Sequence, residues 1–199
     1  MSTAAEQTPS PSLQREWWLR ALSIFQSPRA VFVALRDDSP AAAEARQEPV
    51  LAIVIVAGIA GVLSTSVAGR VLDDSSVDGA ISLAAWAFLG GAFYGLLVFW
   101  LGGLMVHALA RGFGAVSSYR QARHVVGLAA APVAASLLVV WPVRLAIYRG
   151  DVFRTGGSDS GLGDWIFDGL VAVAFAWFFG LVALGLLELK RSSSSSAIS

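Results

Sequence analysis

Arg144 and Asp168 are charged side chains set inside long apolar runs, and an ion in lipid is costly enough to be a functional candidate by default. They stand near the same end of consecutive runs joined by a short loop, so a guanidinium–carboxylate pair is open to them. The chemistry such a pair could support is gating or proton-linked movement. The plainer alternative is a structural clamp, or an arginine whose long stem snorkels toward the interface. A second group gathers around one loop: His107 before it, Arg111, Arg120 and Arg123 along it, and His124 after it. Two histidines without an acidic neighbour make a poor metal site, so no metal is expected. Arg111, Arg120, Arg123 and His124 read instead as a basic rim facing lipid or a partner, worth about 1 kcal/mol per basic residue toward anionic head groups. The same rim also arises from topology alone, with no ligand. GxSxG, HExxH and Walker motifs are absent, as are paired intramembrane carboxylates, so neither a catalytic set nor a cofactor is expected.

These residues must be positioned by four apolar runs, Val50–Gly69, Ala80–Ala110, Val125–Ile147 and Trp165–Leu189. Each can cross a hydrocarbon core roughly 30 Å thick, which takes about 20 helical residues. Lipid offers the backbone no hydrogen-bond partner, so the runs must be helices. The 199-residue chain is 56% hydrophobic and 14% charged, with a mean hydropathy of +0.66, beyond what a soluble domain of this size carries. The expected fold is all-α, a multi-pass transmembrane helical bundle of four spans. Ala80–Ala110 has 31 residues, or about 46 Å of helix. That is too long for one upright crossing and too short for two, so a single tilted or protruding helix is expected rather than a re-entrant pair. Fourteen basic residues offset fourteen acidic ones, leaving no overall field for nucleic acid. The lack of cysteine removes disulfides, thiolate chemistry and cysteine-based metal sites together.

Charge bias sets the expected orientation. Arg15, Arg20, Arg29, Arg36 and Arg46 precede the first span, and the first loop is acidic through Asp73, Asp74 and Asp78. The second loop is basic, the third mixed, and Lys190 and Arg191 follow the last span. Both termini and the second loop therefore belong in the cytoplasm, with no signal peptide expected ahead of a signal-anchor first span. Residues 1–12 read as disordered, 13–48 as cytoplasmic amphipathic helices and a linker, 49–190 as the transmembrane domain, and 191–199 as a Ser-rich disordered tail. In the N-terminal part, Trp17, Trp18, Phe25 and Phe32 are expected as interfacial anchors, although the same stripe would also suit packing on the protein's own spans. Small residues at four-residue spacing, Gly91 with Gly95 and Gly127 with Ala131 and Ala135, are expected to bring helices into close contact. Ala57, Gly61 and Thr65, and Ala176 with Gly180, repeat the theme.

Two segments carry a resemblance. Ile24-Phe25-Gln26-Ser27-Pro28 with Val31-Phe32-Val33-Ala34-Leu35 resembles the F-x-S-P…F-x-x-L opening of bacterial Yip-domain proteins. Leu109–Gly114, then Ser118-Tyr119-Arg120-Gln121-Ala122 and Ala131-Pro132, resembles that family's central loop and the start of its next span. The resemblance implies an integral membrane protein, here of the bacterial cytoplasmic membrane. Eukaryotic relatives, the Ypt-interacting proteins, bind prenylated Rab-type GTPases and one another in vesicle traffic. The family is usually drawn with five spans, where four are counted here, and no binding residue carries over. The expected function is a non-enzymatic scaffold or adaptor that recruits partners at the cytoplasmic face. Expected partners are the lipid bilayer and either further copies of the chain or another membrane protein. The alternative is a small transporter or channel subunit with Arg144 and Asp168 near the path. Transporters carry more polar residues at mid-membrane, whereas both charges here lie near one surface.

Overall fold

A computed structural model describes residues 11–65, 79–154, 156–158 and 161–196. The helices are α1 (Pro11–Leu22), α2 (Pro28–Ala34), α3 (Pro40–Leu63), α4 (Gly79–Gly112), α5 (Tyr119–Ala129), α6 (Ala131–Tyr148) and α7 (Leu162–Ser196). Short 3-10 turns fill Ser23–Phe25 and Arg149–Phe153. Among the described residues there are no strands, and four helical stretches are long and apolar enough to cross a membrane: α3, α4, α5 with α6, and α7. The fold is an all-α helical bundle. Its basal end carries α1, α2, the start of α3 and the end of α7; the far end carries the α6–α7 connection.

Local chemistry fixes the boundaries. Ser39 caps α3 by accepting the Ala42 N–H, and Pro40 follows at the first turn, where a missing N–H costs nothing. The linker expected over 37–49 is therefore helical from Pro40 onward and continuous with the first span. Ser118 and Gln121 form a reciprocal capping box at the start of α5. The span expected at 125–147 is two helices that meet at Ala130, because Pro132 cannot donate to the Leu128 carbonyl one turn back. By contrast α4 is one unbroken helix despite Gly90-Gly91 and Gly102-Gly103. At the C-terminus α7 runs through Ser196, so the Ser-rich stretch expected as a disordered tail is helical as far as that residue. Extending an existing helix costs far less than nucleating one. At the N-terminus the helix begins at Pro11, while residues 1–10 lie outside the described set, as do 66–69 of the expected first span and Asp73, Asp74 and Asp78.

Glycine sets the tightest crossing. A Cβ at Gly58 would collide with the Gly91 and Gly95 backbone, and one at Gly91 would lie 2.5 Å from the Ile59 Cα. The α3 and α4 backbones thus touch directly, the contact that small residues permit in lipid. Gly127 faces Val50 and Phe99, Ala131 is buried in the main core and Ala135 is half-buried. Gly180 has open space beside it, so it packs nothing within the chain.

The N-terminal helices belong to this core. Trp17, Ala21 and Ile24 from α1 and the turn after it, and Val31, Phe32 and Leu35 from α2, are buried with Val50, Val54, Val125, Leu181 and Leu189. Trp17 and Phe32 are each 2% exposed, which corrects their assignment as interfacial anchors: the apolar ring gains more from the dense bundle than from the wet interface. Trp18 and Phe25 stay on the surface. Phe25 meets Trp177 edge-on with ring centroids 5.6 Å apart, so the elbow between α1 and α2 lies alongside α7 rather than beyond its end.

Candidate functional site

The basal end is organised around two carboxylates. Asp38 stands just before α3 and takes side-chain hydrogen bonds from three residues, Arg46 on α3 and Ser118 and Arg120 at the start of α5. Arg46 Nη2 donates to its Oδ1 at 2.7 Å, Arg120 Nε to the same oxygen at 2.9 Å, and the Ser118 hydroxyl to Oδ2 at 2.6 Å. Arg120 Nη2 also bonds the Asp38 carbonyl, and Arg46 Nη1 the Asp37 carbonyl. Arg46 is fully buried; its Nε donates to His124 Nδ1 at 2.8 Å, which places the ring's hydrogen on Nε2. Burial pushes the Asp38 carboxyl up, but the bonds from Ser118 and Arg120 and the charges of Arg120 and Arg46 outweigh it and hold the group below its ordinary value of 3.8. Gln121 completes the arrangement by donating to the Leu35 carbonyl at 3.1 Å, which ties α5 to the end of α2.

Glu188 is the second hub, 2% exposed near the end of α7. Arg29 Nε and Arg191 Nη1 donate to its Oε1 at 2.8 and 2.7 Å, and Arg36 Nη2 to Oε2 at 3.3 Å. Arg29 opens α2 and Arg36 stands just past its end, so the carboxylate holds that helix from both ends. Together the hubs bind α2, α3, α5 and α7 through five guanidiniums and two carboxylates.

At the far end Arg144, 8% exposed, bridges two carboxylates on α7. Its Nη1 donates to Asp168 Oδ1 at 3.0 Å and its Nη2 to Asp164 Oδ1 at 2.6 Å. The guanidinium also lies 5.7 Å from the Trp141 ring and 5.8 Å from that of Phe167, within cation–π range of both.

The Yip1 domain family model matches residues 22–199. The chain belongs to the Yip1 domain family. No curated protein and no solved structure matches it. In this Yip1 domain the two segments that carry the resemblance meet in space. Phe32 and Leu35 bury the apolar side of α2, while Ser118, Arg120 and Gln121 hold Asp38 and Leu35 from the α5 side. Tyr119 donates its hydroxyl to the Trp100 carbonyl, and Ala122 is fully buried beneath them. Each residue of Ser118–Ala122 thus has a contact that its type explains.

The basic rim is largely dismantled by this geometry. His124 is 1% exposed and stacks on Phe99, and Arg120 is engaged by Asp38. Arg123 lies over Trp100 at 4.6 Å, with Phe99 and Tyr119 close by, and Gly103 admits its backbone to α4. Arg111 alone of the four keeps an exposed position. His107 is half-buried, edge-on to Tyr119. Sequence reading missed Asp38, Glu188, Arg46 and Asp164. Asp164 had a signal, since it stands one turn before Asp168 on one helix face. So did Glu188, a carboxylate inside the last apolar run, close to its end. Asp38 and Arg46 had none beyond the mixed acidic and basic, Ala-rich character of a segment that read as a linker.

Proposed function

We propose that this Yip1 domain is a non-enzymatic membrane scaffold whose basal end faces the cytoplasm and recruits protein partners with acidic surfaces. The observation that carries the reading is the arginine excess of a fixed platform. Five guanidiniums meet only two carboxylates in the hubs, and Arg29 and Arg191 leave 65% and 55% of their side chains exposed around Glu188. Exposed Arg111 and Lys190 add to the same face. A rigid, positively charged face steers an acidic partner and loses little order on binding it. The basic residues concentrate at the basal end, the pattern of a cytoplasmic side, and in a bacterial cell that means the cytoplasmic membrane.

A transport role through Arg144 fits less well. Arg144 is held by two carboxylates and two aromatic rings, and a cavity in the side of the bundle has no acidic or basic side chain in its lining. The test is site-specific photo-crosslinking in native membranes from Arg111 and Val116 at the basal end, and from Leu162 at the far end. Discrete protein adducts from the first two positions, lost in high salt and absent at Leu162, support the scaffold. Adducts that are equal at both ends, or absent at all three positions, overturn it.

A further inference from the structure

A cavity of about 410 Å³ opens on the side of the bundle between α4 and α7, with α3 and the α5–α6 bend as its floor. Val54 and Gly58 of α3, Val98 and Leu109 of α4, and Phe178 and Val182 of α7 define its walls. The lining is apolar apart from Tyr94. A void of this kind forfeits the dispersion contacts of every wall atom unless something fills it. Its size selects the occupant. One turn of helix, about 10–12 Å across with a 5.4 Å pitch, displaces roughly 500 Å³ and does not fit. An extended hydrocarbon chain does: at roughly 30 Å³ per carbon, close to a water's share of liquid volume, the space holds about fourteen carbons.

Charge marks the mouth. Lys190 stands two turns beyond Val182 on the same face of α7, and its Nζ lies 6.0 Å from the ring of Phe113, one turn beyond Leu109 on α4. It thus spans the basal opening of the cleft, is exposed, and forms no ion pair among the described residues. We propose that the α4–α7 cleft holds one acyl chain of an anionic phospholipid, whose phosphate meets Lys190 at the basal mouth. This site borders the protein-recruiting platform at Lys190 but does not depend on protein recruitment, and it is independent of which leaflet the basal end occupies.

The full-length chain is reconstituted in vesicles of equal palmitoyl-oleoyl phosphatidylglycerol and phosphatidylcholine, extracted in mild detergent, and weighed by native mass spectrometry. One retained phospholipid per chain, with phosphatidylglycerol enriched several-fold over the vesicle ratio, is the expected result. Val98→Trp, which fills the cleft, lowers retention at least five-fold while circular dichroism stays helical. Should Val98→Trp fail to fold, Val182→Trp fills the space from the opposite wall and serves in its place. Lys190→Gln keeps the retained lipid but returns its composition to that of the vesicles. Lipid retained equally by the filled variants, no lipid retained by the wild type, or a phosphatidylglycerol preference that survives Lys190→Gln overturns the proposal.

Discussion

Asp38 is the residue on which the most contacts converge, and its loss leaves a fully buried cation behind. Asp38→Asn keeps one acceptor oxygen but removes the charge facing Arg46 and Arg120. Breaking a buried pair from one side costs about 3–5 kcal/mol, since the surviving ion is uncompensated; a fall in melting temperature in detergent reports it. The pH dependence has a definite sign. The native carboxyl titrates below its ordinary 3.8, so its stabilisation is present above 3.8 and is lost as pH falls through the lowered native value. Wild-type melting temperature should drop across that acid window, and the part of the drop due to this group should vanish in Asp38→Asn. Arg144 behaves differently because among the described residues two carboxylates hold it. Asp164 and Asp168 are 48% and 64% exposed on their side chains, so neither is stranded when the arginine goes. Asp168→Ala should cost about 1 kcal/mol or less because Asp164 still holds the guanidinium, and Arg144→Ala about 2 kcal/mol through lost packing and bonds together. In the double variant the losses should fall short of the sum; additive losses would remove the clamp.

Helix pairs show which small residues matter. Gly58→Ala puts a methyl into the Gly91 and Gly95 backbone, where no side chain can swing away, so α3 and α4 must separate. Overpacking of this kind costs about 1–3 kcal/mol, and backbone against backbone belongs at the upper end. Gly180→Ala meets open space and should be neutral or stabilise by about 0.5–1 kcal/mol, the helix preference of alanine over glycine. Comparing the two melting curves separates packing glycines from idle ones. The elements themselves were readable because hydropathy is a local property: each of the four apolar runs lies largely in a helical stretch long enough to cross a membrane, the first ending at Leu63. What sequence misplaced was their meeting points. Residues 37–49 read as a linker because a polar, Ala-rich stretch lacks an apolar face, yet it is the start of α3 once Asp38 and His124 satisfy Arg46. Trp17 and Phe32 read equally well as lipid anchors or core, since an aromatic stripe looks the same against either solvent. The contacts that join each hub across the bundle were illegible because those partners lie 78 to 159 residues apart, as in Arg46–His124 and Arg29–Glu188.

For the whole bundle, the distribution of charge decides which end faces the cytoplasm. Four spans place the start of α3 and the end of α7 at one end, whatever the orientation. Positive-inside bias counts lysines and arginines near the span ends and ignores their pairing, so guanidiniums engaged by Asp38 and Glu188 still count. On that basis Arg29, Arg36, Arg46, Arg111, Arg120, Arg123, Lys190 and Arg191 outweigh Arg70 of the first loop and Arg149 and Arg154 of the third. The chain has no cysteine, so a single one can be introduced without a background. Val116 and Leu162 are 86% and 78% exposed at opposite ends, and neither belongs to a hub or to the clamp. In intact cells a membrane-impermeant maleimide should label Leu162→Cys and spare Val116→Cys until the membrane is opened. The reverse pattern would invert the molecule, and the arginine-rich platform would then face away from every cytoplasmic partner. Labelling of both positions in intact cells would be incompatible with the single span, α5 with α6, that separates them.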